Sequence, residues 1–389
     1  MYGSFAGSVP AWPAAERFPP GTEAHGIRGA VGVLDKIMKQ EMPGGVAATV
    51  AIREFAADDA AVWDAFVATH PGASFFHLSA WRQVIERAFG HRTHFLLSRR
   101  GKDVTGILPL ALVRSALFGR ALISTPFCVY GGPLASDAAS RTALEQAACA
   151  LAREFEVDYL ELRNRERGGG DWLRKDLYVT FRKEIPADPD SILAMIPRKQ
   201  RAVIRKGMQG GLVAQIDFTS ERLYAAYSES ARNLGTPVFA RRYLDILLET
   251  FGKQVEILTI TKAGRPVSSV LSFYFRDEIL PYYGGGTRAA RALCANDFMY
   301  WEVMSRAAQR GVRVFDYGRS KLDSGSYHFK RHWGFEPTPL AYEYYLVGAR
   351  SVPNLSPNNP KYRALINVWQ RLPVWSTRLL GPHIARHLG

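Results

Sequence analysis

The strongest constraint on this chain is an internal repeat. Residues 94–113 read as two apolar β-runs joined by a turn at Arg100-Gly101-Lys102-Asp103, and residues 255–275 read the same way around Ala263-Gly264-Arg265-Pro266. A short glycine turn between apolar runs predicts a hairpin. In each copy a further strand follows, ending Val129-Tyr130-Gly131-Gly132-Pro133 in one and Tyr282-Tyr283-Gly284-Gly285-Gly286-Thr287 in the other. Each then gives a helix with apolar positions every three or four residues (Leu144, Ala147, Ala148, Leu151; Phe298, Trp301, Met304, Ala308). Each copy closes on a short β-run, at 157–163 and 312–318. Four elements in one order, offset by roughly 155 to 163 residues, predict a duplicated α/β unit. The chain divides into a flexible leader (1–48), a first unit (49–190), a second unit (191–348) and a tail (349–389) opened by Pro353, Pro357 and Pro360.

Composition narrows the partners. With 47% hydrophobic residues the chain is not disordered, and 50 Lys and Arg against 36 Asp and Glu leave a charge of +14. That balance favours phosphates, nucleic acid or an acidic membrane face. Cys128, Cys149 and Cys294 lie too far apart in sequence for a disulfide framework or a C-x-x-C zinc site, so a reducing, cytoplasmic setting is expected. There is no apolar run long enough to span a bilayer, and the proline-rich first 20 residues do not read as a secretory signal.

Two segments carry candidate chemistry. Pro197 to Gly207 reads as a helix holding Arg198, Lys199, Arg201, Arg205 and Lys206 and no acid. These cations fall within an arc of roughly 160°, a face suited to phosphate or an RNA backbone or simply to solvent. The second segment runs from Asp316 to Phe335, where a buried strand gives way to a loop. Arg319, Lys321 and Lys330 supply charge there, with Ser320, Ser324, Tyr327 and Trp333 beside them. Asp323 or Ser324 would cap the following helix, and Tyr327 is a candidate proton donor. His328 and His332 share the spacing of metal ligands, but without a third ligand no metal is expected. Tyr283, Gly284 and Gly285 read as a strand-to-helix turn whose amides could hold an anion, or whose glycines simply permit positive φ.

The duplicated unit, the PRKQRAVIRKG helix, the YGGGT turn and the GRSKLDSGSYHFKRHWGFEP segment together resemble the FemAB-like branch of the GNAT-fold acyltransferases. In particular they resemble FemAB-related proteins of exosortase (PEP-CTERM) and exopolysaccharide systems. The resemblance covers about residues 50 to 348. It implies two tandem GNAT-like domains, each a mixed, mostly antiparallel sheet flanked by helices. It also implies transfer of an acyl or aminoacyl group to an amine of a cell-envelope precursor, as in peptidoglycan cross-bridge building, with aminoacyl-tRNA as donor in enzymes of that kind.

Members that use acetyl-CoA usually carry R/Q-x-x-G-x-G/A after the fourth strand. Here residues 287–296 hold no glycine, which leaves acetyl-CoA doubtful and favours tRNA or another activated acyl carrier, none of it tightly bound. An attacking amine must be neutral, the tetrahedral intermediate needs oxyanion donors, and the leaving group needs a proton. Lys330 or amides near Gly284 to Gly286 are candidates for the oxyanion. Tyr327 is the candidate acid, because acyltransferases of this fold often place a tyrosine on that helix. Asp316 is the candidate base, or else a strand-end carboxylate paired with Arg319. The expected acceptor is an anionic small molecule or a lipid-linked precursor. Residues 361–389 space Arg363, Arg371, Arg378 and Arg386 among aliphatic and aromatic residues, which suits short helices on the inner face of the cell membrane or packing against the protein itself. A competing expectation is a non-catalytic protein that grips RNA or an anionic glycan.

Overall fold

A computed structural model describes residues 49–115, 118–352 and 360–388; the expected leader lies outside the described residues. The first half contains β1 (Val50–Glu54), α1 (Ala60–Thr69), α2 (Trp81–Phe89), β2 (Arg92–Arg100), β3 (Asp103–Ser115), β4 (Gly119–Ser124), β5 (Leu134–Ala135), α3 (Ala138–Glu154) and β6 (Tyr159–Asn164). Short strands β7 (Leu173–Arg174), β8 (Tyr178–Thr180) and β9 (Arg182–Glu184) lead on to α4 (Pro189–Met195), α5 (Arg198–Gln209) and β10 (Leu212–Asp217). Then come α6 (Glu221–Leu234), α7 (Arg241–Phe251), β11 (Val255–Lys262), β12 (Arg265–Phe275), β13 (Glu278–Gly286), α8 (Ala295–Gln309) and β14 (Val314–Asp316). The second half closes with β15 (Ser320–Lys321), α9 (Gly325–His332), β16 (Thr338–Pro339) and β17 (Ala341–Leu346), and the tail forms α10 (Pro360–Arg371) and α11 (Val374–Ala385).

Both expected hairpins form. Arg100 pairs with Asp103 and Lys262 with Arg265, each across a two-residue connection. In the second, Ala263 and Gly264 both take positive φ (48° and 75°), the twist that a tight hairpin demands. Six strands of the first sheet, β1-β2-β3-β4-β6-β17, repeat the order of the second, β10-β11-β12-β13-β14-β9, while β7 (on β17) and β5 (on β3) are additions to the first. In each, four antiparallel strands meet a parallel neighbour (β4 with β6, β13 with β14) and then an antiparallel one. That last strand is exchanged: β9 precedes the second half yet pairs with β14, and β17 ends the second half yet pairs with β6. A division at residue 190 therefore separates the sequence copies but not the sheets.

The halves also share an aromatic core. Phe75 stacks on Phe273 at 4.4 Å, Trp81 lies 5.3 Å from Phe251 and Phe89 4.8 Å from Tyr243. Each such pair contributes about 0.5–1.5 kcal/mol beyond its buried area, so the two sheets form one packed body.

The parallel pair β13–β14 matches only at Glu278 with Val314 and Ile279 with Phe315, while β13 continues to Gly286. A bulge opposite Leu271 and Ser272 leaves Tyr282 unmatched. Past Ile279 the two strands are no longer matched, and β14 ends at Asp316.

Candidate acyl-transfer site

The basic helix forms as the sequence predicts, over Arg198–Gln209. Its apolar side buries Ile204 and Gly207, and a Cβ on Gly207 would lie 2.9 Å from the Phe298 side chain, so glycine sets the close approach of α5 to α8. Arg198, Lys199, Arg205 and Lys206 are exposed and Arg201 is half-buried. None of the five forms an ion pair among the described residues, and the Arg201 Nε is buried without a partner. Gln200, on the same helix, donates to Asp297 in the first turn of α8. Burial pushes the Asp297 carboxyl up, and the Trp333 indole beside it pulls the other way. At Gly334 a Cβ would lie 3.1 Å from Pro197 Cδ. The start of α5, the start of α8 and the Trp333-Gly334 corner thus meet.

Asp316, at the end of β14, is fully buried. It accepts from the Tyr130 hydroxyl (2.9 Å), the Thr180 hydroxyl (3.1 Å) and the Gly318 amide (2.7 Å), with Arg182 Nε 3.3 Å away. Its ionic partner is Arg182, not Arg319 as one reading of the sequence had it. Buried and held by these donors, the side chain organises the strand end and faces no open surface. Arg182 also pairs with Glu278, whose carboxyl is raised by burial and then by Asp316.

Lys330 is equally committed. It is 7% exposed and donates from Nζ to the carbonyls of Gly318 (2.9 Å) and Arg319 (3.2 Å). Burial pushes its ammonium down to about 7, Asp316 opposes this and Arg319 adds to it. Tyr327 shares the Phe181 ring with Lys330: its ring stands edge-on at 5.5 Å, and Lys330 Nζ lies 5.5 Å from the same centroid. The Tyr327 side chain is half-exposed, and of the three catalytic candidates it is the one that reaches solvent.

Ser324 caps α9, accepting from the Tyr327 amide at 3.3 Å and donating to the Lys321 carbonyl at 2.7 Å, the role the sequence offered it. Ser320 is buried with its hydroxyl unpartnered, and Lys321 pairs in the small sheet opposite Tyr178. Arg319 donates to the Tyr342 hydroxyl at 3.1 Å and lies 4.5 Å from the Tyr178 ring centre. Trp333 is buried among Tyr300, Tyr317 and Phe329.

The glycine turns need correction. Gly284 to Gly286 are not a turn: they extend β13, opposite Val270, Ser269 and Ser268, and none has positive φ. At Gly285 and Gly286 other segments lie against the strand, α6 at the first and the turn before α8 at the second. A Cβ on Gly285 would sit 2.5 Å from Ser230 Cβ, and one on Gly286 the same distance from Ala290 Cβ. Tyr283 is buried, its hydroxyl 2.7 Å from that of Tyr243, in the core between the halves rather than at a binding surface. Gly131 does take positive φ, and a Cβ there would collide with Thr125; Gly132 is closed off by Asn164.

In residues 287–295 the amides of Thr287, Arg288, Ala290, Leu293, Cys294 and Ala295 are all bonded within the protein. That loop has few donors left to cradle a pyrophosphate. Cys128 is buried and its thiol raised by burial, which makes it inert as a nucleophile. Among the described residues there is no group of three or more His, Cys, Asp or Glu placed to hold a metal, and no helix long and apolar enough to cross a membrane.

Asp297, Gln200, Tyr130, Thr180 and Arg182 escaped the sequence reading. Gln200 lay inside the basic helix without a cue, and nothing local marks residues that meet Asp316 across 186 and 136 positions.

Two sheets that each run antiparallel, then parallel, then antiparallel define a tandem mixed α/β fold. Residues 194–331 match the family model of an acetyltransferase (GNAT) domain, so the second half carries a GNAT-type fold. About four fifths of the chain aligns with solved structures. FemX aligns over 81% of this chain and 99% of its own at a TM-score of 0.59 and 13% identity. A tandem GNAT protein from the clavulanic acid biosynthesis pathway covers 78% and 100% at 0.51 and 15%, and a conserved Bacteroides thetaiotaomicron protein of unknown function 77% and 100% at 0.52 and 11%. At these identities the likeness is one of fold. None of the curated proteins matches the chain.

Proposed function

We propose that this protein is a FemAB-like acyl- or aminoacyl-transferase that moves an activated acyl group to an amine of a cell-envelope precursor, of peptidoglycan or of an exopolysaccharide. The observation that carries this reading is the end of the β13–β14 pairing after two matched positions, supported by the exposed, acid-free cations of α5. The bonded amides of residues 287–295 argue against coenzyme A as donor, and the cations favour aminoacyl-tRNA or another anionic acyl carrier. The acceptor is an anionic small molecule or a lipid-linked precursor, met in the cytoplasm or at the inner face of the cell membrane. Tyr327 is the proton donor to the leaving group. Asp316 and Lys330 act through the backbone they fix, since both are buried and bonded.

The test incubates the full chain with labelled aminoacyl-tRNA or labelled acetyl-CoA, each with an amine-bearing envelope precursor, and follows label into the precursor. Transfer from aminoacyl-tRNA is expected. Tyr327→Phe lowers it by roughly 10²-fold or more while tRNA retention is unchanged. Undiminished transfer in Tyr327→Phe removes that residue from the chemistry. Binding without transfer from either donor supports the second reading, a non-catalytic grip on RNA or anionic glycan, which the exposed cations of α5 favour.

A further inference from the structure

The tail is not an appendage. Both of its helices pack on α6 and the turn that follows it. Ile366 of α10 fills the space over Gly235, and Gln370 donates to the Asn233 carbonyl at 3.1 Å. Arg378 of α11 donates to the Ser228 hydroxyl at 2.7 Å, and Gly381 lies so close to Val238 that a Cβ would come within 2.9 Å of its backbone. Thr377, Gly381 and Ala385 are buried on that side.

The opposite faces stay apolar and bare. Trp375 is 70% exposed, Leu379 64%, Leu365 63% and Val368 58%. At 100° per residue Trp375, Leu379 and His383 fall within an arc of roughly 80°, turned away from the buried side, while Arg386 donates back to the Phe89 carbonyl at 2.8 Å. From Pro360 to Gly389 the chain carries five Lys or Arg and no acid. A bare apolar stripe in an acid-free basic segment complements a surface that is negative outside and apolar just beneath. The packed inner face holds the helices in place, so they cannot fold over to hide it. At 12 residues each, with Pro382 inside α11, they are too short to span a bilayer.

We propose that the outward face of α10 and α11 docks on an anionic lipid bilayer, with Trp375 and Leu379 entering the interface and the helices lying in its plane. This stands independently of the acyl-transfer chemistry and shares with it only the lipid-linked acceptor.

Sedimentation of the full chain with phosphatidylcholine vesicles, with and without one third phosphatidylglycerol, tests it. Binding to the anionic vesicles that weakens as salt rises is expected. The double variant Trp375→Ser, Leu379→Ser binds at least about tenfold more weakly with an unchanged circular dichroism spectrum. Phe218→Ser, at a residue 90% exposed outside the tail, binds like the wild type. Absence of binding to anionic vesicles, or equal binding by the double variant, overturns the proposal. So does a dimer in light scattering that the double variant dissolves without any vesicle binding, since a second copy would then cover the face.

Discussion

Acidification should destabilise the fold through a single histidine that is bonded to the first glycine turn. His77 is 3% exposed. The Ser74 amide donates to its Nδ1 at 3.1 Å, which requires a lone pair there, so the proton sits on Nε2 and is donated to the Gly132 carbonyl at 3.0 Å. Burial holds the pKa down to about 3 from 6.5; the bond to Gly132 opposes this and Arg165 adds to the lowering. Between those values the unfolded chain binds a proton that the folded one does not. Stability therefore rises with pH through the window from about 3 to 6.5 and is lost on acidification. Going from pH 7 to pH 5 crosses about 1.5 units of the window, at about 1.4 kcal/mol per unit, a loss of about 2 kcal/mol. His77→Gln offers one acceptor and one donor but does not titrate. Urea unfolding of both proteins at the two pH values is the assay. The wild type should lose about 2 kcal/mol more than the variant. Equal losses would refute the assignment of a neutral, doubly bonded imidazole.

Two further outcomes follow from the packing. Gly285→Ala places a methyl against Ser230 and should cost about 1–3 kcal/mol, read as a lower Tm, whereas Gly169→Ala, with open space around it, should change little. Lys330 loses its proton near 7 in the fold instead of near 10.5, so the unfolded chain binds more protons between those values and stability rises with pH there. From pH 7 to 9 the wild type should gain about 2–3 kcal/mol that Lys330→Met does not, and parallel urea midpoints for the two would show that the amine is not held neutral by burial.

What was legible in the sequence was local. Hairpin turns, helix caps and apolar periodicity act over a few residues, so the duplication, the basic helix and a cap at Asp323 or Ser324 could be read directly, the structure choosing Ser324. The site was half legible. The segment from Asp316 to Phe335 was recognisable by composition, but not which of its charges are spent. Asp316 and Lys330 looked like free chemical groups until their partners appeared on other elements. The glycines of β13 were misread because glycine serves both a positive φ and a close helix, and only the neighbouring helix distinguishes the two.

Sequence alone determined the two copies, their order of elements and the cationic, acid-poor character of α5 and the tail, because periodicity and charge are properties of neighbouring residues. Tertiary structure alone decided that the copies exchange their last strands, that β13 and β14 part after two matched positions, and which tail residues face outward. The strand exchange and the seating of the tail depend on contacts between residues more than a hundred positions apart, and the β13–β14 pairing on residues 36 apart, where packing and the burial of polar groups choose among arrangements that local preference leaves equal.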